Sequence, residues 1–105
     1  MTDLQIAQRF VRKARQAKER GIFFDLSFTT FKRLLKRKTC YYTGVKFKDK
    51  PNDRLELTID RIDNRLGYVE GNVVACTRRI NLAKADLTPE EIKSIYKVLN
   101  SLNNG

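Results

Sequence analysis

The chain has 105 residues, 41% of them hydrophobic, with 22 lysines and arginines against 12 aspartates and glutamates, no histidine, and a net charge of +10. That length allows one small domain with a modest core, no apolar run approaches the roughly 18 residues of a membrane span, and no signal-peptide core opens the sequence. Two cysteines without an export signal read as reduced thiols, so the expected setting is the cytoplasm, a host's if the protein is viral.

The charge is uneven. Residues 1–50 hold 14 lysines and arginines against 4 acids, whereas residues 51–105 hold 8 of each. The leading half therefore carries a footprint suited to a polyanion or to an acidic protein. Residues 3–20 predict a helix, with Ile6, Phe10, Ala14 and Ala17 on one face. Thr2 and Gln5 fit a capping box, and Gly21 a stop. Arg9, Arg12 and Lys13 are its candidate phosphate contacts. Residues 22–27 read as a short buried stretch ending in a cap at Ser27, which starts a helix over 28–38. Phe28, Phe31, Leu34 and Leu35 make its apolar face and are expected in the core; Lys32, Arg33, Lys36 and Arg37 are candidate nucleic-acid contacts. Cations at a helix C-terminus also suit its dipole, so part of that cluster has a purely structural reading.

Residues 39–50 predict a turn or small hairpin, and residues 51–56 a turn. From 57 to 84 the pattern is strand, turn, strand, helix. Leu57 and Ile59, then Val73, Val74 and Ala75, form two β-branched apolar runs. Asp63, Asn64, Gly67 and Gly71 lie between them and suit a tight backbone. After Thr77 the spacing becomes helical, with Asn81 on the first turns. Thr88, Pro89 and Glu91 are a strong start for a last helix over 88–102, whose apolar face is Ile92, Ile95, Tyr96, Leu99 and Leu102. Residues 103–105 are expected to fray.

Asp60, the Gly67-Tyr68 pair, Asn72, Asn81 and Lys84 stand in an order that resembles the HNH (His-Me finger, ββα-metal) endonucleases over residues 40–87. The family's general-base histidine falls on Arg61, and the Asp60-Arg61-Ile62-Asp63 run is similar to that of small phage members. The resemblance implies an α+β fold, mainly helical, in one domain: a basic helical region over 1–39, a ββα-metal finger over 40–87 and a C-terminal helix over 88–102. It implies a metal-dependent DNA endonuclease or nicking enzyme, acting more on double-stranded DNA, with an accessory protein as a further partner. One Mg²⁺ or Mn²⁺ ion would be held by Asp60 and Asn81, with Asn72 bracing the loop and Lys84 facing the same side as Asn81 and touching phosphate.

Arginine stays protonated and is a poor base. Arg61 is therefore read as a phosphate grip, and water activation is left among Tyr68, Asp63, Glu70 and a metal-bound hydroxide. Arg65 and Arg78 complete the candidate nucleic-acid contacts. Relatives hold structural zinc with two cysteine pairs; here only Cys40 matches, with Cys76 one residue off, so no zinc site is expected and both thiols are read as small apolar core residues. The alternatives are a catalytically impaired HNH-fold protein that only binds nucleic acid, and a basic module binding an acidic host protein.

Overall fold

A computed structural model describes residues 1–85 and 87–104; the expected fraying at Gly105 lies outside them. The architecture is α+β, with four helices and two two-stranded sheets among the described residues. Helix α1 (Asp3–Glu19) begins with the capping box of Thr2 and Gln5. Its buried Ile6 and Ala17 anchor it, and its cations occupy the remaining faces. Strand β1 (Phe24–Asp25) follows, then α2 (Phe28–Leu35), whose Thr30 N–H donates to Ser27 Oγ at 3.1 Å. Helix α2 ends three residues short of the expected boundary. Three consecutive cations, Lys36 to Lys38, leave the helix there, and Thr39 pairs with Lys46 in an antiparallel bridge.

Strand β2 (Leu57–Arg61) pairs antiparallel with β4 (Val73–Thr77), Asp60 opposite Val74. The connection contains one element absent from the sequence reading. Strand β3 (Tyr68–Val69) lies parallel to β1, with Tyr68 N–H donating to the Phe23 carbonyl at 2.8 Å. Two-residue strands carry too little pattern to be read from a sequence. Gly67 permits the approach: a Cβ there would sit 2.3 Å from the Phe23 carbonyl oxygen. Gly67→Ala is expected to cost about 1–3 kcal/mol through overpacking, read as a lower urea midpoint with an unchanged slope.

Alternation along the hairpin divides the interior in two. Leu57, Ile59 and Val73 face a first core with Ile6, Phe31, Leu34 and Tyr68. Phe10 is its hub, meeting Phe24, Phe28 and Phe31 edge-to-face at centroid distances of 5.3–5.7 Å. Val74 and Cys76 face a second core with Cys40, Tyr42 and Ile92. Both cysteines are buried and free, and burial pushes the Cys76 thiol up to about 12. At about pH 8 a thiol reagent is therefore expected to leave Cys76 unmodified in the native protein and to label it in urea, since the thiolate is the reactive form.

Helix α3 (Arg78–Lys84) starts at Thr77, whose Oγ1 accepts from Ile80 N–H at 3.3 Å. Helix α4 (Pro89–Asn104) starts with the reciprocal Thr88–Glu91 box. Of its predicted apolar face only Ile92 is buried; Ile95, Leu99 and Leu102 are exposed. No described helix is long and apolar enough to cross a membrane.

Candidate active site

The hairpin and α3 bring a carboxylate and an amide to the rim of one cavity of about 290 Å³. Asp60, one residue from the end of β2, and Asn81, on the first turn of α3, both line it. Asp60 is almost fully buried and is held on one side only. Its Oδ2 accepts from the Tyr42 hydroxyl at 2.9 Å and forms an ion pair with Lys84 Nζ at 3.0 Å. Burial first, and then the Asp60 charge, push the Tyr42 phenol far above its ordinary range, so Tyr42 stays a donor. Asn81 spends its Nδ2 on Thr58 Oγ1 at 3.1 Å, and Thr58 in turn donates to the Cys76 carbonyl at 3.0 Å.

These bonds leave Oδ1 of Asp60 and Oδ1 of Asn81 without a protein partner among the described residues. Among the described residues no fully buried side-chain nitrogen or oxygen lacks a partner, so both oxygens keep some exposure, and both residues line the cavity. One carboxylate oxygen and one amide oxygen are hard donors that fit a divalent cation whose remaining positions go to water and phosphate. No group of three or more His, Cys, Asp or Glu gathers among the described residues, at this cavity included.

Asn72 braces the loop behind the site. Its Oδ1 accepts from Asp63 N–H at 2.9 Å, and its Nδ2 donates to the carbonyls of Asp63 at 3.1 Å and Gly67 at 2.9 Å. Lys13 reaches the same cavity from α1 and Arg20 from the cap at its end, as do Arg61 and Tyr68 from the hairpin region. The Tyr68 ring lies beneath two cations, with Lys13 Nζ 4.8 Å and the Arg61 guanidinium 5.3 Å from its centroid. Tyr68 is buried, yet its hydroxyl has no protein partner among the described residues and so keeps some exposure.

Several expectations are corrected by this geometry. Lys84 does not project toward a phosphate. It is 3% exposed as a side chain, and its ammonium donates to the Arg61 and Ile62 carbonyls and pairs with Asp60. A buried carboxylate requires a partner charge, and Lys84 supplies it. Arg61 is not a free grip either, because its Nη1 is committed to the carbonyls of Asn64 at 2.9 Å and Leu66 at 3.0 Å. Asp63 binds Arg65, whose side-chain hydrogen bonds hold the Asp63 carboxyl down to about 2. Glu70 accepts from Ser27 N–H and the Thr30 hydroxyl at the start of α2. Neither acid lines the cavity with Asp60.

The expected nucleic-acid contacts also divide. Lys13 is at the site. Arg9 and Arg37 share a separate cavity with Lys38 and Lys48. Arg12 and Arg33 are exposed on the helices, and Lys36 is exposed just past the end of α2. Lys32 pairs with Asp3 at 2.9 Å, and Arg78 with Glu56 at 3.9 Å. Three residues of the site escaped the sequence reading: Tyr42, Thr58 and Arg20. Thr58 carried a signal, since it lies two residues before Asp60 and therefore on the same face of β2. Tyr42 and Arg20 carried none, because only tertiary packing brings them to the site.

The chain superposes on the rare-cutting HNH restriction endonuclease PacI with a TM-score of 0.68, covering 96% of its own residues and 78% of that chain at 17% identity. The fold is thus similar to that of an HNH endonuclease. Two viral proteins are similar in sequence. One is an uncharacterized 29.0 kDa protein from the dda-modA intergenic region of Enterobacteria phage T4, 34% identical over 88 residues, which are 84% of this chain and 35% of that protein. The other is the uncharacterized protein R423 of Acanthamoeba polyphaga mimivirus, 32% identical over 84 residues, 80% of this chain and 15% of that protein. The chain spans about a third of the first and about a seventh of the second. No family model matches it.

Proposed function

We propose that this protein is a metal-dependent DNA endonuclease or nicking enzyme, with β2, β4 and α3 serving as a ββα-metal finger. The observation that carries the reading is that Asp60 and Asn81, each with its Oδ1 free of a protein partner among the described residues, line one cavity with Lys13, Arg20 and Arg61. On this reading Asp60 and Asn81 hold one Mg²⁺ or Mn²⁺, which when bound neutralises charge on the phosphate and its leaving oxygen. Tyr42, Lys84 and Thr58 orient the two ligands. Lys13, Arg20 and the uncommitted edge of the Arg61 guanidinium bind phosphodiester oxygens. Asn72 fixes the loop that carries Arg61 and Tyr68. Water activation is left between Tyr68, acting as its phenolate and taking the proton on that oxygen, and a hydroxide that the metal would supply, Asp63 and Glu70 being engaged elsewhere. Residues 1–39 would supply further backbone contacts through Arg9, Arg12, Arg33, Lys36 and Arg37, giving an affinity that falls steeply with salt.

A plasmid-nicking assay in Mg²⁺ and in Mn²⁺ tests the reading. Wild type is expected to convert supercoiled DNA to nicked or linear forms, EDTA to stop it, and Asp60→Asn and Asn81→Ala to abolish it. Asp60→Asn keeps an oxygen for Tyr42 and Lys84 but leaves the buried Lys84 ammonium without its counter-charge, so its urea midpoint is measured beside its activity, and Asn81→Ala reports the metal ligand at a residue outside that ion pair. Equal conversion by wild type and Asp60→Asn would sink the proposal. One observation favours a second reading, a protein that binds nucleic acid without cutting it: Arg61, at the base position, is tied to two loop carbonyls. That reading predicts DNA binding insensitive to EDTA and to Asn81→Ala.

A further inference from the structure

The charge around the cavity bears on the order in which its ligands arrive. Among the described residues that line it, four cations, Lys13, Arg20, Arg61 and Lys84, face one carboxylate, Asp60. That carboxylate is already partly neutralised, because Lys84 Nζ lies 3.0 Å from its Oδ2. Lys84 cannot swing away from it: its side chain is buried and tied to two backbone carbonyls. Lys13 and Arg20 have no carboxylate within 4 Å among the described residues, so their charges are not cancelled locally either.

A divalent cation entering this cavity therefore meets a net positive surround and only two protein oxygens. Like charges at close range in a recess disfavour it. A phosphodiester meets the opposite: three cations from two elements converge on it. Resting on the nuclease reading above, we propose that the cavity is a phosphodiester site first, and that Asp60 and Asn81 become effective metal ligands only once a bound phosphodiester has cancelled the charges of Lys13, Arg20 and Arg61 and added its own oxygens. The nucleic acid and the metal are then taken up as one unit, and each strengthens the other by the same factor, as linkage requires.

Mn²⁺ binding to the full chain, followed by the loss of the free-ion electron paramagnetic resonance signal, tests this with and without a phosphorothioate-substituted duplex that resists hydrolysis. Asp60→Asn serves as the reference for ions held by the DNA itself. Wild type alone is expected to bind Mn²⁺ weakly. The duplex is expected to tighten the Asp60-dependent component by at least about tenfold, and Mn²⁺ to tighten duplex binding by the same factor. Lys13→Gln combined with Arg20→Gln, both at exposed or half-exposed positions of the α1 region, is expected to strengthen Mn²⁺ binding to the free protein and to shrink the enhancement by duplex. Asp60-dependent binding of equal strength with and without duplex would overturn the ordered uptake and leave the metal site standing. Binding that Asp60→Asn never alters, with or without duplex, would overturn the nuclease reading and this inference with it.

Discussion

Tyr68→Phe is expected to slow plasmid nicking by roughly 100- to 10,000-fold, the usual cost of removing a general acid–base group, while leaving the fold and duplex affinity intact. The substitution is clean because the ring performs the structural work. It packs against Phe24 at a centroid distance of 6.0 Å and lies beneath Lys13 and Arg61, and phenylalanine keeps both arrangements. Only the hydroxyl is lost, and that atom has no protein partner among the described residues. Single-turnover rates of wild type and Tyr68→Phe in Mn²⁺, beside their duplex affinities at one salt concentration, decide the matter. Equal rates would remove the tyrosine from the reaction and leave water activation to another group. A fall in duplex affinity of the same size as the fall in rate would make Tyr68 a binding residue.

Lys84→Met is expected to cost the folded state about 3–5 kcal/mol, the penalty for leaving one member of a buried ion pair uncompensated. That is a large share of the 5–15 kcal/mol that holds a typical domain together. Asp60 would keep the Tyr42 hydroxyl but lose its counter-charge, and the Arg61 and Ile62 carbonyls would lose their donor. Urea unfolding of wild type, Lys84→Met, Asp60→Asn and the double variant gives the coupling. The double variant should recover part of the loss, because no charge is then left buried. A midpoint for Lys84→Met within experimental error of wild type would show that the pair contributes nothing to the fold.

The two predictions rest on residues that the sequence presented very differently. Tyr68 was visible as part of a Gly-Tyr turn, but its cations were not, since Lys13 lies 55 residues earlier. Lys84 was visible as a motif position one helical turn past Asn81, a spacing that puts both on one side of the helix. The spacing gives the side and not the depth. Helix α3 is tucked against the end of β2, so the lysine points inward to backbone carbonyls where an exposed helix would have offered it to a phosphate. Glu70 shows the same limit in reverse: an acid two residues after Tyr68 in sequence is drawn away to the start of α2.

Local chemistry written in consecutive residues was legible directly. The Thr2–Gln5 and Thr88–Glu91 boxes, the Ser27 cap and the two strands of the β2–β4 hairpin need only neighbours in the chain, and alternation along those strands decides which residues turn inward. The convergence of Asp60 with Asn81, Tyr42, Lys84, Lys13 and Arg20 belongs to the tertiary structure. Those residues come from four separate segments, and their approach is set by how two cores pack on opposite faces of one hairpin. Composition could announce an excess of cations. Only the packing decides that one carboxylate is held through a single oxygen, Oδ2, in a cavity that Lys13, Arg20 and Arg61 also line.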